Sequence, residues 1–394
     1  MFRDLKSLYL QNEQTYPTET YLVQRQVERS ILKIEQEPLR GEDRLNKEEH
    51  KEYLHQSLKQ LPTSYQALDA SQPWLCYWIL HALDLLEDEP TEEEKIGILE
   101  HLSRCQSPNG GFGGGYGQVA HLATTYAAVC ALCILGTPEA FDVIHLDKLY
   151  MWLLTLKNSD GSFRVTELGE SDVRGLYCAL AVAHICGLLT SELVENCSTY
   201  ISRLQSFDGG LGGEPFNEGH GGYSYCGFAA LCILDEYWQQ TESKCVPHSL
   251  DIKKLQFWVI NRQLPLEGGF QGRVNKLVDS CYSFWQGGLL TLLEFWTRKY
   301  QKRNTSFRFS GEDLERYLLR YCQCRGGGFR DKPGKPRDLY HTCYALSGLS
   351  VAHQNLSGTV THQYLLPKIN ALLNVRMERF ELAATYLRNK KRME

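Results

Sequence analysis

From Phe270 to Gln286 the chain reads FQGRVNKLVDSCYSFWQ, which sets two cations, a carboxylate, a thiol and large aromatics within seventeen residues. Asp279 and Cys281 form a D-x-C pair, and His341 stands one repeat later at nearly the same depth. Together they offer one oxygen, one sulfur and one nitrogen donor. Zinc accepts that mixture, and three protein ligands leave the fourth position open, as a catalytic rather than a structural site requires. D-x-C alone is a weak signal; the alternative is Cys281 in the core and His341 hydrogen-bonded to a neighbour. His220, Arg273, Lys276 and the phenol of Tyr282 lie near these candidates in the pattern. Such a set suits a diphosphate whose charge grows as it leaves, although a solvated loop explains Arg273 and Lys276 equally well taken apart. Trp74, Trp78, Tyr126, Tyr177, Tyr223, Tyr225, Phe284 and Trp285 fall on the first turns of predicted helices. Facing inward they would line an apolar funnel for a long hydrocarbon; facing each other they would be ordinary core.

These residues are brought together by repetition. Five Gly-rich turns, SPNGGFGGG, NSDGSFRV, SFDGGLGG, PLEGGFQG and CRGGGFRD, are each followed by an apolar run. Their anchors, Phe112, Phe163, Leu211, Phe270 and Phe329, are 51, 48, 59 and 59 residues apart, the length of a helical hairpin with its loops. The runs are apolar almost all round and predict buried inner helices. An earlier inner helix is expected in PWLCYWILHALDLL, and polar segments such as 190–204 and 250–261 are expected as outer helices. No long alternating pattern points to a sheet. The fold expected is all-α: an α-α toroid, a closed ring of about six hairpins with inner and outer helices alternating.

In a closed ring, equal offsets from the anchors point into one mouth. Nine residues on stand His121, Asp172, His220, Asp279 and Asp338; eleven on, Ala123, Arg174, Gly222, Cys281 and Tyr340; twelve on, Thr124, Gly175, Tyr223, Tyr282 and His341. Ionisable side chains are rare on apolar helices, so this clustering is not surface solvation. Helix capping accounts for the three aspartates alongside any function, but not for His, Cys and Arg beside them.

Composition limits the alternatives. The chain has 394 residues, 43% hydrophobic and 23% charged, with net charge −5. That is a globular composition with no basic field for nucleic acid. The longest apolar run, 126–135, is half a membrane span. The N-terminal stretch lacks a secretory pattern, so a cytoplasmic chain with reduced cysteines is expected; Cys130 and Cys133 are read as core despite their C-x-x-C spacing.

The motifs CQSPNGGFGGG, EGGFQGRVNKLVDSCYSFWQ and DKPGKPRDLYHTCY carry a specific resemblance. The chain resembles the β-subunit family of protein prenyltransferases, and within it the farnesyl-transferring branch, from about ASQPWLCYWILHALDLL to YHTCYALSGLS. That resemblance implies a zinc enzyme, active only as a heterodimer with a prenyltransferase α subunit. It would transfer farnesyl from farnesyl diphosphate to the cysteine of C-terminal C-a-a-X motifs, on proteins such as small GTPases, through a zinc-bound thiolate. It implies Asp279, Cys281 and His341 as zinc ligands; His220, Arg273, Lys276 and Tyr282 around the diphosphate; and Asp331 as a catalytic carboxylate that helps hold Mg²⁺. Trp74, Trp78, Arg174, Tyr177, Tyr223, Cys226, Trp285 and Tyr340 would line the isoprenoid and peptide pocket. The bulky Trp74 and the Asp331-Lys332 pair separate the farnesyl branch from the type I geranylgeranyl branch. Thr124 departs from the farnesyl pattern, which usually has proline there, beside the pocket for the last peptide residue. Domain bounds are expected at 1–45 for an N-terminal arm, 46–375 for the toroid and 376–394 for a basic tail, with no chemistry assigned to the ends.

Three other readings remain: a geranylgeranyltransferase type I β subunit; an inverting glycoside hydrolase using Asp172 and Asp338; and a non-catalytic scaffold with an apolar pore. A terpene cyclase is weaker, because no D-x-D-D acid is present.

Overall fold

The computed structural model describes residues 17–38, 44–242, 244–301, 309–355 and 365–393. Six inner helices, Gln72–Leu85, Leu122–Leu135, Val173–Ile185, Gly221–Glu242, Tyr282–Gln301 and Leu339–His353, alternate with outer helices. Each inner helix packs on the next, and the sixth returns to the first, so the ring closes. Their faces are buried nearly all round, as the sequence predicts; every residue from Leu122 to Leu135 except Ala123 is buried. Helices with apolar surface on both sides need a neighbour on both sides.

The outer layer is less regular. Leu146–Leu156 and Ile252–Ile260 are single helices. The segment expected as one outer helix over 190–204 is instead two pieces, Ser191–Val194 and Cys197–Arg203, broken at Asn196 with φ of 60°. The outer element before the sixth inner helix turns from α, Gly311–Arg316, to π, Tyr317–Cys322.

The Gly-rich turns form small hairpins that join repeats around the ring. The first amides of the inner helices dock on carbonyls of the next hairpin: Gln72 to Gly114 (2.8 Å), Leu122 to Val165 (2.8 Å), Val173 to Gly213 (3.0 Å), Gly221 to Gly272 (2.7 Å) and Ser280 to Asp331 (2.9 Å). Leu339 closes the circle by donating to the Tyr65 hydroxyl at 3.0 Å. Amides at a helix start lack intrahelical partners, so this docking satisfies them and holds equivalent residues at one height. A second tie escaped the sequence reading: the anchor amides of Phe112, Leu211 and Phe329 donate to hydroxyls thirteen residues on, Thr125, Ser224 and Thr342, at 2.8, 2.8 and 2.9 Å.

The opposite end of the ring is closed by a hairpin, Ile369–Asn370 with Val375–Arg376, and its turn. The final helix, Met377–Met393, lies over the outside of that end, with Phe380 stacked on His184 at 5.2 Å and Arg379 bonded to buried Asp84. All fourteen cysteines are free, and Cys130 and Cys133 are buried in the core. No described helix is long and apolar enough to cross a membrane.

Candidate metal centre and anion-binding mouth

In all five repeats the offset-nine side chain caps the helix that follows. His121 Nδ1 accepts from the Ala123 amide (3.1 Å), Asp172 Oδ1 from Arg174 (2.7 Å), His220 Nδ1 from Gly222 (3.1 Å), Asp279 Oδ1 from Cys281 (2.9 Å) and Asp338 Oδ1 from His341 (2.8 Å). Capping therefore extends to the histidines, further than the sequence suggested. A histidine that accepts through Nδ1 is neutral with its proton on Nε2, and burial holds His121 and His220 below the ordinary imidazole value. Capping leaves a second atom for another partner, Asp172 Oδ2 for Arg174, His220 Nε2 for Tyr282 and Asp338 Oδ2 for His341, so one side chain serves both the helix and its neighbour.

Asp279, Cys281 and His341 stand together. One ligand atom from each lies within 4.8 Å of the others, and no other group of three or more such residues with this arrangement occurs among the described residues. His341 Nδ1 donates to Asp338 Oδ2 at 2.6 Å, which fixes the ring with Nε2 turned toward Asp279 and Cys281. Nε2 is buried and faces Asp279 Oδ1 in an ion-pair contact at 3.3 Å, short of a well-formed hydrogen bond. Nε2 thus points at the carboxylate and the thiol, and it would give up its proton to a cation bound among them. The donor set fits a zinc-like cation.

The electrostatics agree. Burial opposes charging of His341, but hydrogen bonds and charge from Asp279 and Asp338 outweigh it and lift the imidazole to about 9. Burial likewise opposes ionisation of Asp279, yet His341 and the Cys281 amide hold its carboxyl below the ordinary value. Burial and then the charge of Asp279 push the Cys281 thiol far up. Burial and Asp279 also raise Asp331. The imidazole and Asp279 thus hold each other charged while the thiol and Asp331 are kept from ionising; a divalent cation here would take the place of the Nε2 proton and favour the anionic forms of both.

Beside this centre is a cavity of about 410 Å³ whose lining includes His220, Arg273, Lys276, Asp279, Tyr282 and Lys332. His220 Nε2 lies 2.9 Å from the Tyr282 hydroxyl; with Nδ1 occupied as a cap, Nε2 donates and the phenol proton is free for the cavity. Tyr282 reaches this place because position 272 is glycine: a Cβ there would stand 2.1 Å from the phenol ring. Arg273 pairs with Glu218 at 2.8 Å, half exposed on both sides. Lys276 is exposed, whereas Lys332 is buried and bonded to Asp331.

The aromatic residues form a girdle around the ring. Trp74 touches Trp78 and Tyr126 (5.8 and 5.7 Å between ring centres), Tyr126 touches Tyr177 (5.5 Å), Tyr177 touches Tyr225 (5.6 Å) and Tyr225 touches Trp285 (5.2 Å). Trp285 continues to Tyr344 (4.6 Å), Tyr344 to Tyr340 (4.8 Å) and Tyr340 back to Trp78 (5.5 Å). Phe284 is wholly buried, ordinary core as the alternative had it. Tyr223 is half-buried beside His220, and Arg174 is exposed, bonded to Asp172 and 5.6 Å over the Tyr223 ring. Cys226 is buried. Thr124 is also buried, its hydroxyl spent on the Phe112 carbonyl at 2.7 Å.

Sequence reasoning missed three features. Asp338 orients His341, which its spacing of three residues could have signalled. Glu218 shields Arg273, which nothing in the repeat pattern marks. Glu19, Thr20 and Val23, from the helix Glu19–Glu35, also line the mouth cavity; that helix lies outside the repeats, in the arm to which no chemistry was assigned. Asp172 and Asp338, the pair a glycosidase would need, are both committed as caps and to Arg174 and His341.

Comparison with known proteins agrees with this geometry. Residues 45–375 match the family described as the prenyltransferase alpha-alpha toroid domain. The protein farnesyltransferase subunit beta of Arabidopsis thaliana is 38% identical over 363 residues, 78% of this chain and 73% of that one. The subunit of the same name from Schizosaccharomyces pombe is 38% identical over 339 residues, 84% of each chain. Among solved structures, Candida albicans protein geranylgeranyltransferase-I complexed with GGPP superposes with a TM-score of 0.73 at 23% identity, covering 87% of this chain and 99% of that one; at that identity it speaks for the fold. With the ring, the donor triad and these relatives in agreement, the chain belongs to the protein farnesyltransferase β-subunit family of prenyltransferase α-α toroids.

Proposed function

We propose that the chain is the catalytic β subunit of a protein farnesyltransferase, transferring farnesyl from farnesyl diphosphate to the cysteine thiol of C-a-a-X proteins. The observation that carries this reading is the convergence of Asp279, Cys281 and His341, one ligand atom from each within 4.8 Å of the others, beside a cationic cavity. Asp279, Cys281 and His341 would hold zinc. Zinc would supply a Lewis acid that keeps the substrate cysteine ionised at neutral pH.

The other residues act on the diphosphate and the hydrocarbon. Tyr282 offers its phenol proton to a leaving oxygen, while His220 holds the phenol oxygen in place. Arg273 and Lys276 offset the charge that develops on the departing diphosphate. Arg273 does so after exchanging Glu218 for phosphate. Asp331, with Lys332 against it, stands beside this path and would hold Mg²⁺ on the same charge. The girdle excludes water from the chain, and Trp74 sets where the chain must end. The reading includes a second, α subunit that completes this cationic set, and it places the heterodimer in the cytoplasm.

The test offers farnesyl and geranylgeranyl diphosphate in competition to the chain co-purified with a prenyltransferase α subunit, with C-a-a-X peptides ending in Ser, Met or Leu. Farnesylation of the Ser or Met peptide supports the reading. Geranylgeranylation of the Leu peptide would move the chain to the type I branch. Absence of any transfer with one zinc bound per chain would sink the activity while leaving the fold.

A further inference from the structure

The closed end of the ring carries an arrangement that neither the metal centre nor the cationic mouth uses. The turn Ala371–Asn374 presents four consecutive backbone carbonyls to the inside of the ring. One buried tyrosine from each of the first four inner helices donates to one of them: Tyr77 to Asn374 (2.7 Å), Tyr126 to Leu373 (2.8 Å), Tyr177 to Leu372 (2.9 Å) and Tyr225 to Ala371 (2.9 Å). Carbonyl order runs against helix order, so the turn lies across the ring as one strap tied at four points. Asn374 is buried in the left-handed region, φ 51°, and His81 meets its side-chain oxygen at 3.2 Å.

These four tyrosines are also members of the girdle or its direct support. The Trp74 indole rests edge-on against Tyr77 at 5.9 Å and tilted against Tyr126 at 5.7 Å. Each supporting ring is therefore held at its far end by the strap and at its near end by its own helix. Without the hydroxyl tether a phenyl ring keeps its volume but loses the point that fixes its tilt. Discrimination between hydrocarbons in an apolar pocket is modest per carbon and depends on where the wall stands, so the tilt of these rings bears on which chain fits.

We propose that the turn Ala371–Asn374, through the hydroxyls of Tyr77 and Tyr126, is a positioning element that sets prenyl chain length by seating the Trp74 indole. The proposal rests on the reading of Trp74 as the end of the funnel.

The experiment uses the heterodimer carrying Tyr77→Phe with Tyr126→Phe. Affinity for farnesyl and geranylgeranyl diphosphate is read from tryptophan fluorescence, and kcat/KM for each is measured with one peptide. The ratio of geranylgeranyl to farnesyl use should rise by about tenfold, within the range apolar pockets command, with zinc content and peptide KM unchanged. Tyr150→Phe, which removes a hydroxyl bonded to Thr190 on the outer layer at 3.1 Å, should leave the ratio where it was. If the double variant fails to assemble, Tyr126→Phe alone keeps the ring volume and carries the same expectation at smaller amplitude. An unchanged ratio, with or without a lower Tm, overturns the proposal, since a merely structural strap would cost stability without changing the choice. A wild type that binds neither diphosphate, or prefers the longer one, sinks the reading of Trp74 instead, so the two failures are told apart.

Discussion

The two ends of the ring treat polar groups in opposite ways. At the closed end, all four carbonyls of the strap accept from tyrosine hydroxyls; among the groups around it, His81 Nδ1 and Asn374 Nδ2 are left without partners. At the mouth, His341 Nε2 is buried with only its ion-pair contact to Asp279, Cys281 is held protonated by burial, and Lys276 stands exposed. At the closed end the strap carbonyls are spent on the fold, with only His81 Nδ1 and Asn374 Nδ2 left over. At the mouth, ligand-type atoms from Asp279, Cys281 and His341 converge on one point instead. A region whose polar groups are satisfied contributes stability, whereas one that keeps them unsatisfied has ligand binding as its compensation.

That contrast can be broken experimentally. Cys281→Ala should abolish transfer, by about a thousandfold or more given the several kcal/mol a catalytic metal supplies, and zinc content measured by elemental analysis should fall below one per chain. The metal-free Tm should stay near that of the metal-free wild type; a large drop would mean that the mouth holds the fold together, and the contrast would fail. Asp338→Asn should keep the cap, since asparagine caps as well as aspartate, yet weaken zinc by about 10- to 100-fold through loss of the carboxylate that orients His341. A chelator competition titration reads this directly.

Asn374→Ala probes the other end. Alanine at φ 51° is strained and removes one of the two partners of His81 Nε2, Ser347 at 3.0 Å remaining, so stability should fall by about 1–3 kcal/mol, read from chemical denaturation, while zinc stoichiometry stays at that of wild type. Loss of zinc in this variant would erase the distinction between the two ends. The smallest effect is expected for Arg273→Gln. It should weaken diphosphate binding by about tenfold, as loss of one charge-assisted contact does, and flatten the dependence of that binding on salt, with no change in Tm beyond what an exposed ion pair contributes.

How much of this was legible in the sequence differs between the same two ends. The mouth was legible because repetition places its residues: offsets of nine, eleven and twelve from a Gly-rich anchor are local quantities, and local spacing decides which side chain caps a helix and which faces inward. Asp279 and Cys281 are two residues apart, and their shared direction follows from the first turn of one helix. Tyr282, Tyr340 and Trp285 follow in the same way. The closed end was not legible. The strap lies beyond the last repeat, its turn offers backbone carbonyls that any sequence would offer, and the tyrosines that meet them look in sequence like core aromatics. Likewise the broken outer helix at Asn196 and the π turn at Tyr317–Cys322 are settled by packing against neighbours, which overrides the propensity of the segments.

The sequence by itself therefore determined the repeats, the inner helices and which three residues offer the donor atoms that converge. Those depend on residue types at short range, where periodicity and capping act. Only the tertiary structure decided that the ring closes, through helix-start amides docking on the next hairpin and finally Leu339 on Tyr65. Packing of the fifth inner helix on the sixth brings His341 against Asp279 and Cys281, and the assembled ring has Glu19–Glu35 beside its mouth and the 371–374 turn across its floor. Each of these joins residues far apart in the chain, and such contacts form only when burial of the whole ring compensates the entropy of closing long loops, a quantity that no short stretch of sequence contains.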